Sequence, residues 1–123
     1  MARLGTCGED QEPHLVPVTF AVVGEVVVVA VDDKPKTTTN LRRLRNIEEN
    51  PHVAFLADRY EEDWSRLWWV RADARASVVR AGAQWVRAVD LLVAKYPQYG
   101  ARRPAGPVIW AEVARWSGWS SSE

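Results

Sequence analysis

The sequence has 123 residues, and its sixteen basic and sixteen acidic side chains give a formal charge of zero, which argues against a general nucleic-acid binder. A composition of 47% hydrophobic and 26% charged residues is that of an ordinary globular chain, and the length predicts one domain over residues 1–123. A domain of this size buries only roughly 65% of its unfolded surface, so a deep site is more easily built between two copies than within one.

The N-terminal stretch Met1 to Glu12 lacks the apolar core of a signal peptide. Ala2 to Cys7 reads as a short first strand, closed by the polar turn Gly8 to Pro13. The lone Cys7 has no partner for an internal disulfide, which suits a reducing cytoplasm. His14 to Val23 is rich in β-branched residues, and Gly24-Glu25 turns it into the run Val26 to Val31, a hairpin signal. Valines in unbroken succession predict a strand covered on both faces. That run is too short to span a bilayer, and no membrane partner is expected.

A polar loop, Asp32 to Thr39, leads into a helix capped by threonines, with Leu41, Leu44 and Ile47 as its buried stripe and Asn50-Pro51 as its end. Val53, Phe55 and Ala57 mark the next strand, and Asp58 to Ser65 an acidic loop. From Leu67 to Val79 the chain alternates, with Trp68, Val70, Ala72, Ala74, Ala76 and Val78 on one face. Gly82 to Tyr96 is predicted helical with Trp85, Val89, Leu92 and Val93 inward, and Val108 to Trp116 is the last strand. About six strands and two helices joined by hairpin links predict a mainly β, mostly antiparallel barrel.

Lys34-Pro35-Lys36-Thr37-Thr38-Thr39-Asn40 gathers two ammonium groups, three hydroxyls and the free N–H groups of a helix start. Such a set suits a phosphate; the same residues also suit a capped helix with solvated lysines. Arg42, Arg43 and Arg45 extend the charge, either as a solvated face or as a track for an anionic tail. Trp68 and Trp69, adjacent on a strand, must point to opposite faces, one of them free to lie near a planar ligand. His14 and His52 are the only histidines and lack ligand spacing, so no metal site is expected. No nucleophile elbow or dinucleotide glycine motif occurs. Anion binding beside an aromatic surface is the chemistry of a protein whose cofactor reacts.

The segments His14 to Phe20, Val31 to Thr37, Leu44 to Ile47 with Asn50-Pro51, Asp63 to Asp73, Lys95 to Tyr99 and Trp116 to Trp119 together resemble the deazaflavin-dependent branch of the pyridoxamine 5′-phosphate oxidase-like family. The resemblance implies a split, FMN-binding-like β-barrel that forms a homodimer, with two cofactor sites at the subunit interface. It implies an oxidoreductase that moves a hydride between coenzyme F420 and a small organic substrate. FMN is the alternative cofactor, and a non-catalytic flavin or F420 carrier is the alternative role. Lys34, Lys36 and Thr37 match the family's phosphate loop. Pro17, Val18 and Thr19, with Val31 and Asp32, match the strands flanking the ring system, and Trp68 and Trp69 the strand closing the pocket. The family motif defines no catalytic acid or base. Relatives begin with a helix ahead of the first strand, whereas this sequence starts almost directly at it, predicting a more exposed barrel or a weaker dimer. Ala72 to Ala76 carries alanine where the family has glycine, which predicts an altered bend near the pocket.

Overall fold

The computed structural model describes residues 1–31 and 38–121, with side chains described outside 32–41. Its strands are β1 (Ala2–Cys7), β2 (Pro13–Val18), β3 (Ala21–Val23), β4 (Val26–Ala30), β5 (His52–Arg59), β6 (Trp68–Val79) and β7 (Val108–Ser120). Its helices are α1 (Thr38–Glu49), α2 (Ala83–Lys95) and α3 (Pro97–Ala101), with one 3-10 turn at Trp64–Arg66. The fold is mainly β, and every strand pairing is antiparallel.

The spatial order is β2-β1-β5-β6-β7-β4-β3, an open sheet whose two edge strands follow each other in the sequence. The sheet curls so that Val16 and Val18 of β2 share one core with Val27 and Val29 of β4, Phe55 of β5, Ala72, Ala74 and Ala76 of β6, and Ile109 and Ala111 of β7. Leu44 and Ile47 of α1 join the same core. This is the split barrel expected from the sequence, with a third helix and a seventh strand added. The extra strand arises because the run from His14 to Val23 breaks at Thr19-Phe20, which separates β2 from β3.

The valine run reads as expected. Val27 and Val29 enter the barrel, while Val28 lies under α2 with Ala21, Val108, Ala88, Val89 and Leu92. Both faces of β4 are therefore dry. Gly24 has φ +56°, the left-handed conformation that a two-residue hairpin turn asks of its first central residue. At Gly8 a Cβ would lie 2.5 Å from Glu49 Oε1 and 2.8 Å from Asn46 Oδ1 of α1, so both side-chain ends would have to move.

In α2, Ala88, Val89 and Leu92 are the buried residues, and Trp85 and Val93 are half-buried. Strand β7 runs four residues further than the sequence predicted, to Ser120. Beyond Glu112 it leaves β4 and continues against β6. The ladder shifts register between Asp73 and Ala74 of β6, so the alanine-rich segment carries an irregularity where the family tends to have glycine.

Candidate functional site

Strand parity sorts the side chains of β1, β2, β5 and β6 into a core face and an outer face. On the outer face, Pro17 pairs with Arg3, Leu15 with Gly5, Gly5 with Ala54, Leu56 with Arg71, Asp58 with Trp69, and Trp69 with Trp119. All of these except Pro17 and Trp119 line a groove of about 520 Å³, which Tyr60 also borders. Gly5 contributes no side chain, and a Cβ there would stand 3.3 Å from Leu15 Cδ2, so glycine keeps the floor low. An apolar residue such as Leu15 normally seeks cover, yet it is 73% exposed, and Leu56 and Tyr60 of the same groove are exposed too. A second depression of about 580 Å³ continues the face past Gly5 and Ala54 toward Cys7, His52, Asp73 and Arg75.

The charges in the groove are paired. Arg3 Nη1 lies 3.8 Å from Asp58 Oδ1, and Arg71 Nε lies 3.4 Å from Asp73 Oδ2. Two cations and two carboxylates thus alternate along an apolar, aromatic surface.

The family-matched residues fall into three environments. Pro17 and Trp69 sit on the outer face, and Trp69 lines the groove. Val18 and Val31 are buried in the core, so only their backbone is open to a ligand. The Val31 amide is already used, donating to the Pro107 carbonyl at 3.0 Å. Thr19 lies in the link between β2 and β3, with its Oγ1 2.8 Å from the Tyr99 hydroxyl. Asp32, Lys34, Lys36 and Thr37 lie outside the described residues. Trp68 points to the face opposite Trp69, as adjacency on a strand requires, and stands with Val70 and Trp116 on the core side of the β5-β6-β7 extension. Trp116 donates its indole N–H to Glu25 Oε2 at 3.2 Å.

The three arginines of α1 part company. Arg42 reaches Asp10 at 3.5 Å, and Arg45 reaches Glu49 at 4.0 Å one turn on. Arg43 is buried, and burial lowers the pKa of its guanidinium. Burial and the charges of Arg42 and Arg43 together lower the pKa of the His14 imidazole. His14 pairs in register with Thr6 on the core side of β2. Among the described residues no group of three or more His, Cys, Asp or Glu is placed to hold a metal ion, and no helix is long and apolar enough to cross a membrane.

Sequence reading missed Arg3, Leu15, Leu56, Tyr60 and Arg71 as groove residues. Leucine at 56 was the available signal, an apolar side chain on the face that alternation assigns to solvent. Tyr96 and Tyr99 were visible as a motif without a role.

Residues 1–120 match the family model described as Pyridoxamine 5′-phosphate oxidase. No curated protein matches the chain significantly. Among solved structures, HutZ, the heme storage protein from Vibrio cholerae, superposes with a TM-score of 0.73 at 17% identity, over 97% of this chain and 84% of that one. The conserved hypothetical protein Rv2991 from Mycobacterium tuberculosis gives 0.70 at 21%, over 98% and 76%. A FAD-binding protein from Mesorhizobium loti gives 0.68 at 17%, over 95% and 83%. At these identities the likeness is one of fold.

Proposed function

The chain belongs to the pyridoxamine 5′-phosphate oxidase family, and from that premise we propose that it is an oxidoreductase that binds a flavin-type cofactor, coenzyme F420, across its outer groove. The observation that carries this reading is the groove itself: a shallow apolar floor over Gly5 and Ala54, walls from Leu15 and Trp69, and arginines at the rim. A planar ring needs a flat apolar surface to displace water, and aromatic walls add to it. An anionic tail needs cations, and Arg3 and Arg71 could serve only by exchanging their carboxylate partners, Asp58 and Asp73, for it. These residues fit the group, and the lysine-threonine loop over residues 34–37 would hold its phosphate. When bound, the cofactor supplies hydride transfer. The protein's own residues bind and orient it, and Leu15 and Leu56 exclude water from the ring. The 1–123 chain acts in this reading as one binding domain.

The partner that completes the site is a second copy of the chain. Leu15, Leu56 and Tyr60 leave exposed apolar surface in one groove, the kind of surface that marks an interaction site. Its charges, two arginines and two aspartates, are balanced, so the face is complementary to itself about a two-fold axis.

A second reading has a specific observation behind it. The carboxylate that lines the groove, Asp58, is paired with Arg3 at 3.8 Å, and among the described residues no other acidic side chain lines it. A carrier that stores a cofactor without turnover fits that arrangement, and the likeness to a heme storage protein and a FAD-binding protein agrees with it.

Titration of the purified protein with coenzyme F420, FMN, FAD and hemin, followed by tryptophan fluorescence, separates these. Preference for coenzyme F420, with reoxidation of its reduced form on adding a substrate, supports the oxidoreductase. Tight binding of hemin or FAD without turnover supports the carrier, and no binding of any of the four overturns both.

A further inference from the structure

The second depression, past Gly5 and Ala54, differs from the groove in its charges. In the groove both arginines have carboxylate partners, Asp58 for Arg3 and Asp73 for Arg71. Arg75 lines the second depression, and among the described residues its side chain has no ion pair and no hydrogen bond. Its register partner on β5 is His52, which lines the same depression and whose imidazole is equally uncommitted among the described residues. Directly opposed residues on one face hold their Cβ atoms about 5 Å apart, close enough for both side chains to reach one small group. A guanidinium offers a fork of N–H donors, and an imidazole at least one more.

The β6-β7 ladder keeps the wall low on this side. Asp73 pairs with Arg115 and Ala74 with Val113, which leaves Ala114 without a partner. Ala114 lines the depression with no more than a methyl group. Bulges of this kind recur next to active sites, where the extra residue re-aims its neighbours. The charged neighbours are Arg71 and Asp73, paired with each other, Arg115 opposite Asp73, and Glu112, which faces Arg75 from β7 but does not line the depression. Cations outnumber carboxylates there, so the local field favours an anion. Pro13, Leu15 and Ala54 make another part of the lining apolar.

We propose that this depression is a binding site for a small carboxylic acid, with the carboxylate on Arg75 and His52 and the apolar body over Pro13, Leu15 and Ala54. A carboxylate matches the guanidinium fork through two parallel hydrogen bonds, which an uncharged amide cannot reproduce. Gly5, Leu15 and Ala54 line both depressions, so the acid lies edge to edge with the occupant of the groove. In the oxidoreductase reading the acid is then the substrate; that role rests on the reading above, whereas the site does not.

The test titrates the full chain, without cofactor, with benzoate, with benzamide as its uncharged counterpart, and with inorganic phosphate, following backbone amide resonances. Benzoate is expected to shift the amides of Gly5, Ala54 and Ala114 in a saturable way, and benzamide to bind at least about tenfold more weakly. Arg75 is exposed, so its replacement leaves the fold in place. Arg75→Gln should lower the affinity for benzoate about tenfold to a hundredfold and leave that for benzamide unchanged, and Arg75→Lys should recover part of the loss. Equal responses to benzoate and benzamide, no saturable shift, or unchanged benzoate affinity in Arg75→Gln overturns the proposal. Tighter binding of inorganic phosphate than of benzoate overturns the carboxylic acid in favour of a phosphate ester. None of these readouts involves coenzyme F420, so a failure here leaves the cofactor reading standing, and a failure to bind cofactor leaves this site standing.

Discussion

Asn46 of α1 donates its side-chain amide to Thr6 Oγ1 of β1 at 3.1 Å, with 1% and 4% of the two residues exposed. This bond fixes the helix that closes the barrel to the first strand. It is expensive to break on one side, because the partner left behind is buried without water. Asn46→Ala is therefore expected to cost about 1–3 kcal/mol, and the double variant with Thr6→Val less than the sum of the singles. Urea unfolding of the four proteins checks both statements.

Leu92 of α2 is fully buried against Val28 and Val108. Leu92→Ala should destabilise the fold by roughly 2–5 kcal/mol, the usual cost of a large core truncation. Val86, exposed on the other side of the same helix, should accept alanine with a change of no more than about 0.5 kcal/mol. The contrast between the two, read from denaturation midpoints, tests where the helix packs.

The depressed pKa of His14 has a definite sign. Burial, then Arg42 and Arg43, hold the folded imidazole below its ordinary 6.5, so the unfolded chain binds more protons as pH falls through 6.5. Stability is then complete above that value and lost below it, down to the folded pKa. Unfolding midpoints at about pH 7.5 and about pH 5.5 should differ more in wild type than in His14→Gln.

On the outer face, Leu15→Glu places a charge where a second copy is proposed to sit. It should shift the protein toward monomer in light scattering at unchanged monomer Tm, since Leu15 is already exposed within one chain. A variant that remains as associated as wild type would remove this face from the interface.

Local pattern carried much of this architecture. Ala2 to Cys7 appears with the bounds its residues predict, the valine run is buried on both faces, and of the face predicted from Trp68 to Val78 the alanines at 72, 74 and 76 are buried while Trp68 and Val70 stay exposed. The break at Thr19-Phe20 was not legible, because β-branched residues continue through it and what ends the strand is a pair of tyrosines about eighty residues away. The extension of β7 through Trp116-Ser117-Gly118-Trp119 was hidden by serine and glycine, which carry little strand signal. In the candidate site, alternation predicted that the two adjacent tryptophans diverge. It did not predict that Trp69 would meet Trp119 across the ladder or that Leu15 would stand opposite Gly5, since register between distant strands is a tertiary property. Arg43 is buried although Arg42 and Arg45 beside it keep contact with solvent, a difference that a run of arginines in sequence does not show.

The position of β7 constrains the order in which the chain can acquire its shape. It is the last strand, yet it lies inside the sheet, between β6 and β4, and pairs Val29 with Ile109 across a separation of eighty residues. A nascent chain that has emerged only as far as Gly106 would hold two separate pieces, the β3-β4 hairpin and the β2-β1-β5-β6 ribbon, with unpaired edges toward each other. Closing such a distant pairing pays loop entropy before any contact repays it, so folding should be slow for the size and should finish only once β7 has emerged. In the interval the exposed strand edges invite aggregation, and a chaperone that shields them would raise the yield of folded protein more than it raises the stability of the product.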